Sequence, residues 1–274
     1  MFKHMGDLTK AATFFAITFC LCAGAIALAQ QVGEWGFRLV MFTPLAGVLI
    51  MMLIVTRDGY SVEGWKSLGL HRPGFKGWAL ALLLPLVVLG LAYAAIWASG
   101  IATLALPEGF ASSDDILDLV VSIAIVTVMG GIGEEIGWRG YLLPRLKKLG
   151  LRASLFVSGF LHGVFHLPAL GTIFYHSQGD PVFVIPLFLA TLTLAGVCYG
   201  YLRLTTGSVW PAALAHSAFN IYWDRLNGMT QTQSPLALEY LAGESGVITL
   251  AVLTVVAAWL AWRLPRQLTD KSWR

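Results

Sequence analysis

Two adjacent carboxylates, Glu134 and Glu135, lie in a long apolar segment of the chain, and Arg139 follows them. Glu135 and Arg139 are four residues apart, so on a helix they share one face and are predicted to pair. Pairing compensates for the cost of placing charges in apolar surroundings, and a substrate-binding role for Arg139 is the alternative. Glu134 is then the carboxylate left for chemistry, and its residue type suits a general base.

Two further polar pairs lie in later apolar segments. His162 and His166 are four residues apart, as are His216 and Asn220, so each pair forms one face of a helix. A single histidine at membrane depth is more often a packing residue that bonds a neighbouring helix. Together with the double glutamate, these pairs favour a functional site where helices present acid, base and amide groups to one point.

The elements that position these groups are predicted to be membrane helices. Of the 274 residues, 57% are hydrophobic and 12% are charged, whereas an average soluble domain has roughly 25% charged residues. The sequence therefore predicts an all-α polytopic membrane protein, with about eight transmembrane helices enclosing a cytoplasm-facing polar cavity. The predicted spans are 11–29, 37–56, 77–98, 115–135, 153–171, 181–203, 208–225 and 246–263.

Lysine and arginine residues concentrate at both termini and in alternate loops. Because short loops rich in these residues stay in the cytoplasm, both termini are predicted to be cytoplasmic. The net charge of +3 is then an orientation signal and implies no nucleic-acid partner. No repeat or long polar linker divides the chain, so residues 1–274 are predicted to form a single integral membrane domain.

The cysteines, Cys20, Cys22 and Cys198, lie within predicted spans and show neither a CxxC spacing nor an extracellular pairing pattern. They are interpreted as small apolar core or lipid-facing residues, and redox chemistry is not indicated. Aromatic residues near the polar groups could line a groove for a lipidated or helical peptide, although packing and interfacial anchoring are the favoured roles. These aromatic residues are Trp138, Phe165, Trp210 and Trp223.

The polar residues form three motifs in a fixed order on successive apolar segments. They are an EExxxR motif, a second-motif histidine and an HxxxN motif, at Glu134, Glu135, Arg139, His166, His216 and Asn220. This order resembles the CPBP family of intramembrane endopeptidases, the CAAX proteases and bacteriocin-processing enzymes, also called the ABI family. The resemblance covers roughly residues 115–225, the expected catalytic core, and residues 67–78 resemble the loop before that core in bacterial members. A bacterial plasma membrane is the expected location.

The resemblance implies an intramembrane endopeptidase, similar to CAAX prenyl proteases. Its expected substrate is a membrane-anchored or lipidated protein or peptide, cleaved near the cytoplasmic face of the lipid bilayer. Glu134 and His166 are expected to activate water, and His216 and Asn220 to stabilise the oxyanion. The sequence carries no signal for an oligomeric state.

The remaining motif residues are expected to hold this geometry. Glu135 and Arg139 would do so through their ion pair, and Gly133, Gly137 and Gly140 would allow another helix to approach closely. Apart from the motifs, two other classes of function stay open. One is a proton-coupled transporter, which predicts polar clusters mirrored in both halves of the chain. The other is an inactive scaffold that retains a substrate-binding cavity.

Metal dependence is also open. Glu134, His166 and His216 could supply three ligands of a zinc site with water in the fourth position, and the family is often labelled metalloprotease. However, the sequence has no HExxH motif, and family members have also been described as glutamate enzymes that need no bound metal. A metal-free glutamate mechanism is the favoured prediction.

One position departs from the pattern of the family. The second motif usually has Phe or Trp four residues before its histidine, and this chain has His162 there. The favoured interpretation is that His162 replaces an aromatic wall residue. The alternative is that it reaches the cavity and adds a second base or a metal ligand.

Overall fold

Long apolar helices dominate the structure, a computed structural model that describes residues 5–170, 172, 175 and 179–264. The helices that pack together include pairs adjacent in the chain and pairs that are distant in it. The main helices are α1 (Asp7–Val32), α2 (Gly36–Val55), α3 (Phe75–Ala98), α4 (Ser113–Arg145), α5 (Leu151–Phe165), α6 (Pro181–Thr206), α7 (Trp210–Gly228) and α8 (Val247–Arg263).

The helices confirm the prediction of an all-α polytopic membrane protein. Within the described residues, α1, α2, α3, α4 and α6 are long and apolar enough to cross a membrane. The shorter helices α5 and α8 are also apolar, and α7 coincides with the predicted span 208–225. The exact number of crossings stays a prediction, since length and hydropathy alone define a candidate span.

The C-terminal ends of two predicted spans differ from the structure by more than three residues. The fourth span was predicted to end at 135, but α4 continues to Arg145 because the pairing of Glu135 with Arg139 lets the helix carry charge through an apolar interior. The fifth was predicted to end at 171, but α5 ends at Phe165. Pro168 explains this end, since proline disfavours helical geometry at the residue before it.

The helix α4 is irregular where its polar residues lie. The regular turn Ile132–Glu135 is flanked by π-helical segments at Thr127–Gly131 and Ile136–Leu142. A π-helical turn widens the helix locally and is frequently found at functional sites. Glu134 and Glu135 are therefore placed between two changes of helical pitch.

Two apolar cores flank this part of α4. One joins α3, α6, α7 and α8, and its buried members include Leu89, Tyr93, Leu202, Phe219 and Leu253. The other joins α1, α2, α4 and α5, with buried Phe14, Met51, Trp138, Tyr141 and Phe165. The polar residues of α4 lie where the helices of the two cores meet, so neighbouring apolar packing fixes their positions.

Short elements close the two ends of the bundle. Strands β1 (Thr103–Leu104) and β2 (Thr230–Gln231) pair antiparallel and connect the α3–α4 loop with the segment after α7. Short helices occupy Val62–Ser67 and Pro235–Leu241. At the opposite end, the loop between α2 and α3 packs on the start of α7, where the Trp210 indole donates to the Leu70 carbonyl oxygen at 3.0 Å.

Candidate active site

Glycines allow α4 to lie in direct backbone contact with its neighbours, as predicted. A Cβ atom at Gly133 would be 2.7 Å from a carbonyl oxygen of α2, and one at Gly137 would be 2.7 Å from Pro44 Cβ. A Cβ at Gly140 would be 3.1 Å from the carbonyl oxygen of Leu68. Larger residues would push α4 outward, so these glycines bring its carboxylates close to the neighbouring helices.

The predicted ion pair within α4 is formed. Arg139 Nη1 donates to Glu135 Oε1 at 2.8 Å, and both side chains are fully buried. The same carboxylate oxygen lies 3.0 Å from His216 Nδ1 on α7. The Arg139 guanidinium also lies over the ring of Tyr199 on α6, 5.1 Å from its centre. Glu135 therefore connects two of the motif-bearing helices.

His162 contacts the Glu134 carboxylate. Its Nε2 lies 3.0 Å from Glu134 Oε2, and its Nδ1 lies 3.2 Å from Arg139 Nη1. The ring stacks on Trp138 with the two ring centres 5.1 Å apart. His162 thus fills the aromatic position, as the favoured interpretation expected, but it also makes polar contacts that a wall residue would not make.

His166 lies at the C-terminal end of α5, beyond hydrogen-bond distance of Glu134. Its Nδ1 donates to the His162 carbonyl oxygen at 3.0 Å, and the two imidazole ring centres are 5.2 Å apart. Its ring packs edge-on against Phe165 and Phe188. The sequence predicted that Glu134 and His166 activate water together, whereas the described contacts place His162 beside the Glu134 carboxylate.

The third motif lies on α7. The His216 ring stacks on Tyr199, with ring centres 5.6 Å apart and planes 9° from parallel. Asn220, one helical turn later, lines a polar cavity of about 320 Å³ together with Trp223, Asn227 and Glu244. This cavity lies at the end of α7 that leads into the connection to α8. The cytoplasm-facing orientation of the cavity is not confirmed and stays a prediction.

Four polar groups of the motifs have capacity for a substrate or water. Within the described part of the chain, Glu134 Oε1, His166 Nε2, His216 Nε2 and the Asn220 amide bond no protein group. Each belongs to a residue that the sequence analysis assigned to catalysis. Glu135 and Arg139 pair with each other, but Glu135 Oε2, Arg139 Nε and Arg139 Nη2 are also buried without a hydrogen-bond partner among the described residues.

The residues brought together do not fit a three-ligand zinc site. Potential ligand atoms of Glu134, His162 and His216 lie within 4.8 Å of one another, whereas the sequence analysis selected His166 as the second ligand. A metal-bound histidine usually donates its other ring N–H to an acceptor. His162 Nδ1 instead faces a guanidinium, which can only donate. The proton of a neutral His162 is therefore on Nε2, which has no lone pair for a metal.

Three residues near the site were missed by sequence reasoning. Tyr199 stacks on His216 from α6, and Tyr175 donates a hydrogen bond to Glu244 at the wall of the polar cavity. Burial raises the pKa of Tyr175 well above its ordinary value of 10.0, and the Glu244 carboxylate raises it further. A carboxylate shortly before the last apolar span was a signal for Glu244; the tyrosines had none, since isolated tyrosines are common in membrane proteins.

The cysteines take no part in this arrangement. All three are free, with Cys22 and Cys198 buried and Cys20 exposed. The Cys22 thiol donates to the Phe165 carbonyl oxygen at 3.3 Å. These positions agree with their interpretation as core or lipid-facing residues.

Comparison with known proteins gives one family match. Residues 116–222 match the family model described as type II CAAX prenyl endopeptidase Rce1-like. This range contains every motif residue from Glu134 to Asn220 and confirms the resemblance found in the sequence. Among curated proteins, none matches the chain.

Proposed function

On the premise that residues 116–222 form an Rce1-like core, we propose that the protein hydrolyses a peptide bond of a membrane-anchored or lipidated peptide. The family supports a CAAX-protease-like intramembrane endopeptidase in general. The observation that carries the assignment of residues is the set of four motif groups with unfilled hydrogen-bonding capacity beside the buried Glu135–Arg139 pair.

In the proposed reaction, Glu134 is the general base. Water bound at Glu134 Oε1 transfers a proton to this carboxylate as its oxygen attacks the scissile carbonyl carbon. His166 orients that water, because its Nδ1 donates to a backbone carbonyl and leaves a lone pair on Nε2. Collapse of the tetrahedral intermediate breaks the C–N bond, and Glu134 returns the proton to the leaving amine. One water is consumed, and an acid and an amine are released.

The oxyanion of the intermediate is stabilised from α7. The Asn220 amide donates directly. A neutral His216 donates to Glu135 through Nδ1 and has only a lone pair on Nε2, so it donates to the oxyanion only as an imidazolium. Glu134, Glu135 and Arg139 together carry one net negative charge, which an imidazolium at His216 would balance. We therefore assign His216 to the oxyanion in its charged form.

An apolar groove supports the proposal that the substrate carries a lipid moiety. The groove has a volume of about 370 Å³ and lies between α3, α4 and α7, lined by residues that include Trp78, Ile123, Trp210 and Leu214. Leu214 is two residues before His216 on α7. A hydrocarbon chain in this groove would lie against the helix that carries the third motif, and burying it would contribute about 0.8 kcal/mol per methylene group.

The test compares wild type with Glu134→Gln on farnesylated and unmodified membrane-anchored peptides, with mass spectrometry of the products. We expect the rate to fall by about 10³-fold, because the amide cannot accept the proton from water. Glu63→Gln, at a carboxylate that is 82% exposed, is the matched control and should cleave at the wild-type rate. Each reaction is repeated with a chelator, which should change neither rate.

Two results would overturn the proposal. One is undiminished cleavage by Glu134→Gln. The other is a folded wild-type protein that cleaves none of the peptides but conducts protons across liposomes in a Glu134-dependent manner, since a transporter also uses intramembrane carboxylates.

A further inference from the structure

His162 does more than the aromatic residue whose place it takes. We propose that His162 is a positioning residue for Glu134: Arg139 fixes its tautomer, and its Nε2–H holds Glu134 Oε2 so that Oε1 faces the water. This inference deepens the proposed function and rests on Glu134 being the base.

The hydrogen-bond geometry fixes the direction of each bond. Arg139 Nη1 is 3.2 Å from His162 Nδ1, and His162 Nε2 is 3.0 Å from Glu134 Oε2. A guanidinium has no acceptor, so Nδ1 must accept. The proton of the neutral ring is then on Nε2 and points to the carboxylate. The three side chains form a chain of donors that ends on Glu134.

Packing holds the ring in this orientation. His162 is fully buried, stacks on Trp138 with planes 28° apart, and has the His216 ring centre 5.5 Å away. An imidazole that stacks on an indole and bonds through both nitrogens has no free rotation left. Glu134 is only 5% exposed, so this bond replaces part of the hydration that the carboxylate has lost.

A neutral donor suits a general base. An imidazolium or a metal ion at this position would neutralise Glu134 and weaken its ability to accept a proton. The N–H of a neutral His162 fixes the direction of the carboxylate and leaves its charge in place. A metal bound at Nε2 would require Arg139 to leave its position between Glu135 and His162.

The first experiment reads the tautomer and needs no substrate. Protein labelled with ¹⁵N-histidine contains six histidines, and His162→Gln identifies the resonances that belong to His162. We expect a protonated Nε2 and an unprotonated Nδ1, unchanged when Zn²⁺ alone is added. A protonated Nδ1, a doubly protonated ring, or a Zn²⁺-dependent shift of these resonances would overturn the proposal, even if no peptide were ever cleaved.

The second experiment reads catalysis. His162→Phe keeps the ring stacked on Trp138 but removes both hydrogen bonds, and we expect kcat to fall about 10- to 100-fold with KM changed by less than about twofold. His162→Gln should recover most of that loss, since its amide oxygen accepts from Arg139 and its amide nitrogen donates to Glu134. Thermal unfolding checks that both variants fold.

The pattern among these variants separates the possible roles. Equal rates for His162→Phe and wild type would show that the histidine is only a wall residue and would overturn the proposal. Equal losses in the Phe and Gln variants, with both folded, would also overturn it, because a hydrogen-bonding role predicts rescue by Gln. If wild type cleaves no peptide but conducts protons in a Glu134-dependent manner, the proposed function fails and the tautomer measurement alone decides the position of the proton.

Discussion

Two buried arginines, Arg139 on α4 and Arg203 on α6, contact different kinds of group. Arg139 on α4 pairs with the Glu135 carboxylate and contacts His162. Arg203 on α6 donates from Nε to the Arg139 carbonyl oxygen at 3.2 Å and from Nη2 to the Ser67 carbonyl oxygen at 3.0 Å. Within the described residues, no carboxylate pairs with Arg203. One guanidinium is thus held by charge and the other by backbone dipoles.

This difference indicates that Arg139 and Arg203 have different roles. Arg139 contacts the side chains of Glu135 and His162, whereas Arg203 joins α4 and α6 to the loop that precedes α3. Gly69 in this loop has a φ angle of 79°, and a Cβ atom there would be 2.9 Å from Arg203 Cζ. The Arg203 guanidinium therefore bonds backbone groups, so its removal is expected to affect stability more than catalysis.

Removing Arg139 should have the largest effect on stability and on cleavage. Arg139→Leu leaves the Glu135 carboxylate buried without its counter-charge, which we expect to lower the free energy of unfolding by about 3–5 kcal/mol and to abolish cleavage. Denaturant unfolding in detergent measures the first effect. Lys66→Gln, which breaks an exposed pair with Glu63 at 3.9 Å, is the control and should change stability by less than about 0.5 kcal/mol.

Removing Arg203 should separate stability from activity. Arg203→Met removes the hydrogen bonds donated to the buried Arg139 carbonyl and to the part-buried Ser67 carbonyl, so we expect the free energy of unfolding to fall by about 3 kcal/mol. Activity per folded molecule should stay within about threefold of wild type, because no motif side chain loses a partner. A folded Arg203→Met protein that is as inactive as Arg139→Leu would contradict the separate roles of the two arginines.

A smaller effect is expected where α5 and α6 touch. A Cβ atom at Gly196 would be 2.3 Å from Gly159 Cα and 3.0 Å from Arg139 Nη2. Gly196→Ala should therefore cost about 2 kcal/mol through overpacking and displace the guanidinium. Gly90→Ala in α3 meets no atom within 4 Å and should leave stability unchanged or raise it. Equal unfolding midpoints for the two variants would show that the contact can relax.

The smallest effect concerns a neutral donor outside the spans. Tyr175→Phe removes the hydrogen bond to Glu244, which should cost about 1 kcal/mol. The pKa of Tyr175 is raised above 10.0 in the folded protein, so this stabilisation is complete below pH 10 and is lost as pH rises through the folded pKa. Unfolding measured from pH 6 to 9 should show a constant difference between variant and wild type; a difference that changes in this range would be contrary to the assignment.

Much of the architecture and of the site could be predicted from the sequence. The four-residue spacing of Glu135 and Arg139 specifies a contact within one helix, and the glycines of the same segment specify close helix packing. Hydropathy located the apolar helices because the cost of exposing polar backbone to lipid is local and additive. The histidine that contacts Glu134 could not be predicted in this way. His162 and His166 share one face of α5, and nothing in their spacing decides which one meets Glu134.

Sequence alone therefore determined the contacts within a helix: the membrane helices, the order of the motifs and the Glu135–Arg139 pair. Only the tertiary structure decided that His162 meets Glu134 across 28 residues, that Arg203 meets the Arg139 carbonyl across 64, and that Tyr175 meets Glu244 across 69. The physical reason is the offset between packed helices. A shift of one turn, about 5.4 Å, exchanges one histidine for the other, and it depends on side-chain packing along the whole interface, which hydropathy and motif spacing do not specify.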